Sequence, residues 1–124
     1  MSELSERGLA SRRKVLGDAH VDRAIAGTTS LDQTFQALIT DAAWGHVWSR
    51  EAISLRERSM LTIALLAAQG ADGELEMHLR ATKRTGASPS DIMEALLHVA
   101  LYAGIPRANH AIQIAKRVFS EDQP

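Results

Sequence analysis

The chain has 124 residues, a formal net charge of −1 with acids and bases interspersed, and no cysteine. A near-neutral chain gives no electrostatic reason to bind nucleic acid or an anionic membrane, and the missing thiol excludes disulfides, thiolate metal sites and cysteine nucleophiles. Alanine and leucine are abundant, whereas aromatic residues make up 4% of the chain. We therefore predict an all-α protein with a single domain over residues 1–124 and about six helices.

Two stretches of the sequence indicate where in the cell the protein is expected. The start, M-S-E-L-S-E-R, lacks the basic region and the apolar core of a secretory signal. Residues 60–68 form an apolar run that is much shorter than the roughly 20 residues needed to span a bilayer. We therefore expect a cytoplasmic protein that has no membrane partner.

The first two predicted elements are a polar helix and a polar loop. The helix covers about residues 4–16 and ends at Gly17, and its basic character suits an arm that packs on a neighbouring subunit. The glycine and the two aspartates of residues 17–23 weaken a helix prediction there. His20 is therefore expected in a loop.

A second main helix is predicted to begin with Thr29 or Ser30 as its N-cap. Apolar residues then recur at helical spacing, namely Leu31, Phe35, Leu38, Ile39, Ala42 and Ala43. Trp44 and Trp48 follow, four residues apart. Such a pair is most typical of a core or a subunit interface, the alternative being the wall of a ligand pocket.

The central hairpin is predicted from residues 54–86. Ser54 and Glu57 have the spacing of a capping box, which sets the start of the central helix. Residues 60–68 are apolar on every side of that helix, so we expect it to be buried. Asp72 is the predicted N-cap of the next helix, and Gly86 is its predicted left-handed terminator.

Two further helices complete the prediction. S-P-S-D at residues 88–91 is a second capping box with proline at the first helical position, and its helix continues to about Tyr102. The last helix opens at Ile105 and runs to about Phe119. The central helix and the helix after residue 88 have little polar face between them, so we predict a homo-oligomer.

Glu74 and His78 are the leading candidates for chemistry. Residues four apart share a helix face, so the carboxylate can lie beside the imidazole, favour its protonated form and orient it as a general acid. The competing interpretation is a surface pair worth a few tenths of a kcal/mol. No further ligand has a diagnostic spacing, and His98 and His110 are scattered, so no metal site is predicted.

Two arginines flank this pair. Arg80 is two residues beyond His78, roughly on the opposite side of the helix, and it pairs more naturally with Glu76. Arg58 lies in the first turn of a mostly apolar helix, where its charge needs a partner. Glu57, Glu74 or an anionic ligand are the candidates for that partner.

Five stretches carry a resemblance to a known family. They are R-K-V-L-G-D-A-H-V-D-R-A at residues 13–24, A-W-G-H-V-W at 43–48, R-E-R-S-M-L-T-I-A at 56–64, E-L-E-M-H-L-R-A at 74–81 and Y-A-G-I-P-R-A-N at 102–109. The chain resembles the γ-carboxymuconolactone decarboxylases of the protocatechuate branch of the β-ketoadipate pathway. Its central hairpin also resembles a wider superfamily, the alkylhydroperoxidase-D-like proteins.

The resemblance implies an all-helical, alkylhydroperoxidase-D-like fold and ring-shaped oligomers, commonly trimers or hexamers. The peroxidase branch carries C-x-x-C followed by a histidine, and the matching positions here are Ala71, Glu74 and His78. Because the chain has no cysteine, thiol redox chemistry is impossible here. The histidine of the motif is retained as His78.

The function implied is decarboxylation, without a cofactor, of 4-carboxymuconolactone to β-ketoadipate enol-lactone and CO2. His78, oriented by Glu74, is then the acid, and Arg58 anchors an anionic arm of the lactone. The remaining expected substrate-binding residues are Glu57, Arg80 and His20, with Arg80 or His20 coming from a neighbouring subunit, and Trp44, which helps to keep the pocket dry.

Two alternatives remain open. One is a related cofactor-free lyase or isomerase that acts on another carboxylated lactone through the same site. The other is a non-catalytic helical assembly subunit in which the pair of Glu74 and His78 is structural.

Overall fold

A computed structural model describes residues 1–121, and all regular structure in this range is helical. The elements are α1 (Glu3–Leu16), α2 (Asp18–Gly27), α3 (Gln33–Leu38), a π-helix (Ile39–Trp48), α4 (Leu55–Gln69), α5 (Asp72–Thr85), α6 (Pro89–Tyr102) and α7 (Ile105–Ser120). The all-α prediction is confirmed, with more helices than the six expected. Among the described residues, no helix combines the length and the apolar character that crossing a membrane requires.

Two compact units divide the chain. Unit 1 is Met1–Ile53, and unit 2 begins at Ser54. Each unit is described by itself below. The single domain predicted over residues 1–124 stays a prediction.

Unit 1 is held together by close packing of α1 on the π-helix. Gly8 and Gly45 make this possible, since a Cβ atom on Gly8 would collide with the backbone carbonyl of Thr40 and one on Gly45 would meet Leu4. The Ser5 hydroxyl also donates to Asp41 across the same contact, at 2.6 Å. The predicted end of α1 at Gly17 is confirmed, because Gly17 has φ of 89° and its N–H donates to the carbonyl of Arg13.

The two tryptophans lie in the core of unit 1. Trp44 is 4% exposed and Trp48 is 8% exposed. Their rings stack with centroids 5.0 Å apart, an arrangement typical of buried aromatic pairs. The core interpretation is therefore confirmed within this unit.

The loop predicted at residues 17–23 is wrong, because α2 begins at Asp18 directly after Gly17. Arg13 near the end of α1 pairs with Asp18 at 3.1 Å and with Asp22 at 2.9 Å. These ion pairs join one helix to the next, and Asp18 also lies at a helix N-terminus, where a carboxylate is favourable. The aspartates that weaken a local helix prediction thus stabilise the helix in context, and His20 lies on α2.

The predicted second helix begins later than expected and changes its winding. The Asp32 carboxylate accepts from the backbone N–H of Thr29 at 2.8 Å, a turn that delays α3 to Gln33. The chain then winds as a π-helix over Ile39–Trp48, and such segments are uncommon. Three of the apolar residues predicted to pack are instead exposed in the single chain, namely Leu31, Phe35 and Leu38.

Unit 2 consists of two helical hairpins, α4–α5 and α6–α7. Helix α4 packs on α5 and α6, α7 packs on the same two helices, and α4 and α7 also contact each other. The core between them includes Ile63, Leu75, Leu79, Ile92, Leu96, Val99 and Ile114. This packing determines which face of α5 is turned toward the core.

The local start and stop signals of unit 2 are largely confirmed. The capping boxes of Ser54 with Glu57 and of Ser88 with Asp91 are both present, and Gly86 ends α5 in the left-handed conformation with φ of 85°. The N-cap prediction for Asp72 is wrong, because Ala71 is the N-cap and Asp72 is the first helical residue. The Asp72 carboxylate instead pairs with Nε2 of His110 on α7, at 2.8 Å.

The prediction that α4 is buried on all sides is wrong for the single chain. Only Ser59, Ile63 and Ala67 are buried on this helix, whereas Leu61 is 58% exposed and Leu65 is 61% exposed. The reason is geometric, since α4 has partner helices on one side only. On α6 an equally apolar stripe, which we name the α6 outer stripe, is exposed and consists of Met93, Leu97 and Leu101.

Arg56 and Asp91 join the starts of α4 and α6. Arg56 donates to both carboxylate oxygens of Asp91, at 2.8 and 2.6 Å. Together with the Ser88 backbone N–H, this holds the pKa of the Asp91 carboxyl well below its usual value. A lowered carboxyl pKa stabilises the folded chain above the unfolded pKa of about 4, and that stabilisation is lost as the pH falls below it.

We expect Asp91→Asn to lower the urea midpoint at pH 7. The difference in urea midpoint between the variant and the wild type should become smaller as the pH falls from about 4 to 2. Asparagine keeps an acceptor for the Ser88 N–H, so the substitution removes mainly the charge. Glu94→Gln on the same exposed helix is the matched control and should leave the profile unchanged. A gap between Asp91→Asn and the wild type that is constant with pH would contradict the prediction.

Candidate active site on the α4–α5 hairpin

His78 lies on the buried face of α5. It follows Leu75, which is 1% exposed, by three residues and precedes Thr82, which is 6% exposed, by four. Residues three and four apart share one helix face, so His78 lies on the face that α5 turns toward the interior of unit 2 and is itself only 6% exposed. Its Nδ1 atom is fully enclosed. An imidazole at this position is shielded from bulk water. Electrostatic interactions in such an interior are stronger than at the surface.

Further polar side chains line the same hairpin. Thr85 donates to Ser59 at 3.0 Å, a buried hydrogen bond that links α5 to α4. Thr82, one turn after His78, donates to the carbonyl of Leu79 at 2.7 Å. Ser59, Thr82 and Thr85 were missed in the sequence. Thr82 and Thr85 stand four and seven residues after His78, so the helical spacing of α5 contained the signal for those two.

Glu74 lies one turn before His78, in the first turn of α5, and is exposed. Within residues 1–121 the structure gives its carboxylate no hydrogen bond or ion pair, so a direct contact with the imidazole is not among the described contacts. A carboxylate at this position still interacts favourably with the positive end of the helix dipole. Its role in orienting His78 stays a prediction.

Glu57 has a structural role at the start of α4. Its carboxylate accepts from the Ser54 backbone N–H at 2.9 Å, and its own N–H donates to the Ser54 hydroxyl at 3.1 Å. The first of these bonds is the main reason that the pKa of the Glu57 carboxyl is lowered. A role in substrate binding stays a prediction for this residue.

Arg58 is half-buried in the first turn of α4, directly before Ser59. Because Ser59 bonds to Thr85, Arg58 is level with the end of α5, about seven residues beyond His78. Seven residues of α-helix correspond to roughly 10 Å along the axis. This separation suits two groups that hold different ends of one small molecule, and the anchoring role of Arg58 stays a prediction.

Arg80 is bound into an ion network on the solvent side of unit 2. It pairs with Glu76 at 3.0 Å, as the sequence predicted, and with Glu121 at 2.7 Å. Arg117 extends the network through Glu76 at 3.1 Å. Glu121 is the main reason that the pKa of the Arg80 guanidinium is raised. Two carboxylates therefore occupy Arg80 in the single chain, and its contact with a substrate stays a prediction.

The other two predicted site residues belong to unit 1. His20 is half-buried on α2, and Trp44 is buried on the π-helix. Both are fixed in place by the packing of that unit, and their roles in a site stay predictions. Among the described residues, no group of three or more histidine, aspartate or glutamate side chains could hold a metal ion.

The described residues form an all-helical protein that buries the imidazole of His78, in a chain whose composition excludes thiol chemistry. Residues 33–117 match the model of the Carboxymuconolactone decarboxylase family. The chain belongs to this family, and the resemblance seen in the sequence is confirmed.

Three relatives place the chain within the family. A 4-carboxymuconolactone decarboxylase from Acinetobacter baylyi is 42% identical over 94% of this chain and 87% of the relative. A nitrosuccinic acid decarboxylase, npaB, from Metarhizium robertsii is 35% identical over 95% of this chain and 82% of the relative. An uncharacterized 15.0 kDa protein from Paracoccus denitrificans is 29% identical over 72% of this chain and 68% of the relative.

Proposed function

We propose that the chain decarboxylates 4-carboxymuconolactone to β-ketoadipate enol-lactone and CO2, as a step in the degradation of protocatechuate. The observation that carries the proposal is the buried imidazole of His78 on a hairpin that has no thiol. Similarity over 94% of the chain to a relative with this named activity supports the choice of substrate. The enzyme is a carboxy-lyase in this proposal.

The substrate supplies its own electron sink. The bond between the γ carbon and its carboxylate breaks, CO2 leaves, and the electron pair passes through the ring double bond to the lactone carbonyl. A furanolate results, and a proton added at the α carbon gives the enol-lactone. The reaction as drawn needs no resident cofactor, and the protein has three tasks: stabilising the oxyanion, delivering the proton and holding the acetate arm.

The residues divide these tasks as follows. His78 delivers the proton, with Glu74 as its orienting carboxylate. Arg58 holds the acetate arm, and the distance of roughly 10 Å along the helix axis supports separate positions for the anchor and the acid. A neighbouring subunit contributes Arg80 or His20 as a further substrate contact in this proposal. Glu57 and Trp44 are the other binding residues, and the tryptophan excludes water.

The working enzyme is a cytoplasmic homo-oligomer in this proposal, a ring of three or six copies. The exposed apolar side chains of unit 2 support it, since large exposed apolar patches usually mark an interface. Leu61 and Leu65 are exposed on α4, and the α6 outer stripe is exposed on α6.

A second substrate is favoured by the relative from Metarhizium robertsii, which is named a nitrosuccinic acid decarboxylase. In nitrosuccinate a nitro group on the carbon that loses CO2 takes the electron pair, as the lactone carbonyl does in the first substrate. Both acids carry a second carboxylate that a cation can hold. The same three tasks therefore serve a carboxylated lactone and a nitro acid alike.

The first experiment measures CO2 release from freshly prepared 4-carboxymuconolactone, with nitrosuccinate in parallel and a chelator present throughout. We expect rapid release from the lactone that persists with chelator. Release from nitrosuccinate alone would move the function to the second substrate. No release from either acid, by a folded chain, would contradict both and favour a non-catalytic assembly role.

A further inference from the structure

Ser59 carries a hydroxyl group into the apolar core of unit 2. The residue is 0% exposed, and it shares the buried face of α4 with Ile63 and Ala67, which follow at helical spacing. An alanine at this position would enclose no polar group, whereas a buried hydroxyl is costly unless it is hydrogen-bonded. The serine is therefore explained by the bond that it makes rather than by its packing.

The partner of Ser59 is Thr85 on α5. Thr85 is also buried, and its hydroxyl donates to the Ser59 hydroxyl at 3.0 Å. Apolar contacts are non-directional, whereas a hydrogen bond restricts both the distance and the angle between its groups. A buried polar residue between two helices of a coiled coil fixes their register at some cost in stability. The bond between Ser59 and Thr85 has the position to do the same for α4 and α5.

This pair lies at the open end of the α4–α5 hairpin. Thr85 is the last residue of α5, and Ser59 lies in the second turn of α4, about 15 Å along the helix axis from the end of α4 at Gln69. The turn at Gly70 and Ala71 joins the two helices at that other end. The turn therefore holds one end of the hairpin, and the buried hydrogen bond holds the other.

We propose that Ser59 and Thr85 are positioning residues, which set the offset between α4 and α5. This offset determines where Arg58 lies relative to His78, because Arg58 directly precedes Ser59 and because His78 is on the same helix as Thr85. A shift of one residue along a helix is about 1.5 Å, and a misplacement of about 1 Å can lower a rate about 100-fold. The inference rests on the proposed function, in which Arg58 holds the substrate and His78 protonates it. Ser59 is fully enclosed, so it acts through the packing of the helices and not on the substrate.

The test is the apolar double variant Ser59→Ala/Thr85→Val, which removes both hydroxyls of the pair together. Its melting temperature should stay close to that of the wild type, since replacing both partners by apolar groups is nearly neutral. Its kcat for CO2 release from 4-carboxymuconolactone should fall about 10- to 100-fold. KM should change much less, because the arginine still holds the substrate. A double variant with the melting temperature and the kcat of the wild type would overturn the proposal, as would a higher KM at unchanged kcat.

Single variants separate position from stability. Thr85→Val leaves the Ser59 hydroxyl enclosed without its partner, so it should melt below the double variant. Thr85→Ser keeps the donor and should retain the kcat of the wild type. Ser59→Ala alone should lose as much kcat as the double variant, so the test stands even if the double variant does not fold. Thr62→Val makes the same chemical change at a half-buried position of α4 and is the matched control, with kcat unchanged. An equal loss of kcat in Thr85→Ser and Ser59→Ala would overturn the proposal.

Hydrogen exchange tests the register without the reaction. In the double variant, the backbone amides of residues 58–62 and 82–86, at the open end, should exchange at least about tenfold faster than in the wild type. The amides beside the turn, in residues 66–74, should not change. If the wild type releases no CO2, the proposed function fails, and hydrogen exchange still decides whether the pair holds the register. Unchanged exchange at the open end would overturn the positioning role, whatever the turnover of the wild type.

Discussion

His78→Gln will lower the turnover of 4-carboxymuconolactone by about 10²- to 10⁴-fold, the usual contribution of a general acid or base. Glutamine fills much of the same buried space and keeps hydrogen-bonding groups, but it cannot deliver a proton. CO2 release in the steady state measures the effect. Circular dichroism and the melting temperature establish that the variant is folded.

His46→Gln is the matched control, because His46 is an exposed histidine of the π-helix. Its turnover should equal that of the wild type. A folded His78→Gln variant with turnover within twofold of the wild type would remove His78 from the reaction. His78 would then be a core residue without a catalytic role. That result would favour the alternative in which the pair of Glu74 and His78 is structural.

Glu74→Gln tests whether the carboxylate acts through His78. We expect a smaller loss than for His78→Gln, and little further loss when both substitutions are combined, because residues that act as a unit are non-additive. Since Glu74 is exposed and makes no described contact with the imidazole, independent and additive losses would instead assign it a separate contact with the substrate.

Local signals allowed several elements to be predicted. The two capping boxes and the turn at Gly86 are formed by residues within four positions of one another, and each is present where the sequence placed it. His78 is a similar case, since its position relative to Glu74 follows from helix geometry alone. The pairing of Arg80 with Glu76 also needed only a spacing of four.

Other features depend on contacts that no local pattern contains. Helix α2 is stabilised by ion pairs from Arg13 across the turn at Gly17. The contact between Gly8 and Gly45 joins residues that are far apart in sequence. The packing of α1 on the π-helix therefore could not be predicted from a local sequence pattern. The hydrogen bond between Ser59 and Thr85 depends on the register of the α4–α5 hairpin, so no pattern within α4 alone could have identified Ser59.

The exposed apolar residues of unit 2 carry the second large prediction. Leu97 is 50% exposed and Leu101 is 78% exposed in the single chain. Leaving both leucines in water is unfavourable, because fully burying a leucine is worth about 1.5–3 kcal/mol. If copies pack on the α6 outer stripe, a charge placed there must be buried without a partner, which is strongly unfavourable.

We therefore expect the double variant Leu97→Glu/Leu101→Glu to dissociate a wild-type oligomer into chains of 13.5 kDa, as measured by light scattering after size exclusion. The isolated chain should keep its helical content, since both positions already face water there. Arg84→Glu on α5 is an exposed control that should leave the mass unchanged. A wild type that runs at 13.5 kDa, or a double variant that keeps the wild-type mass, would contradict an interface on this stripe. Loss of CO2 release on dissociation, with His78 intact, would show that a neighbouring copy completes the site.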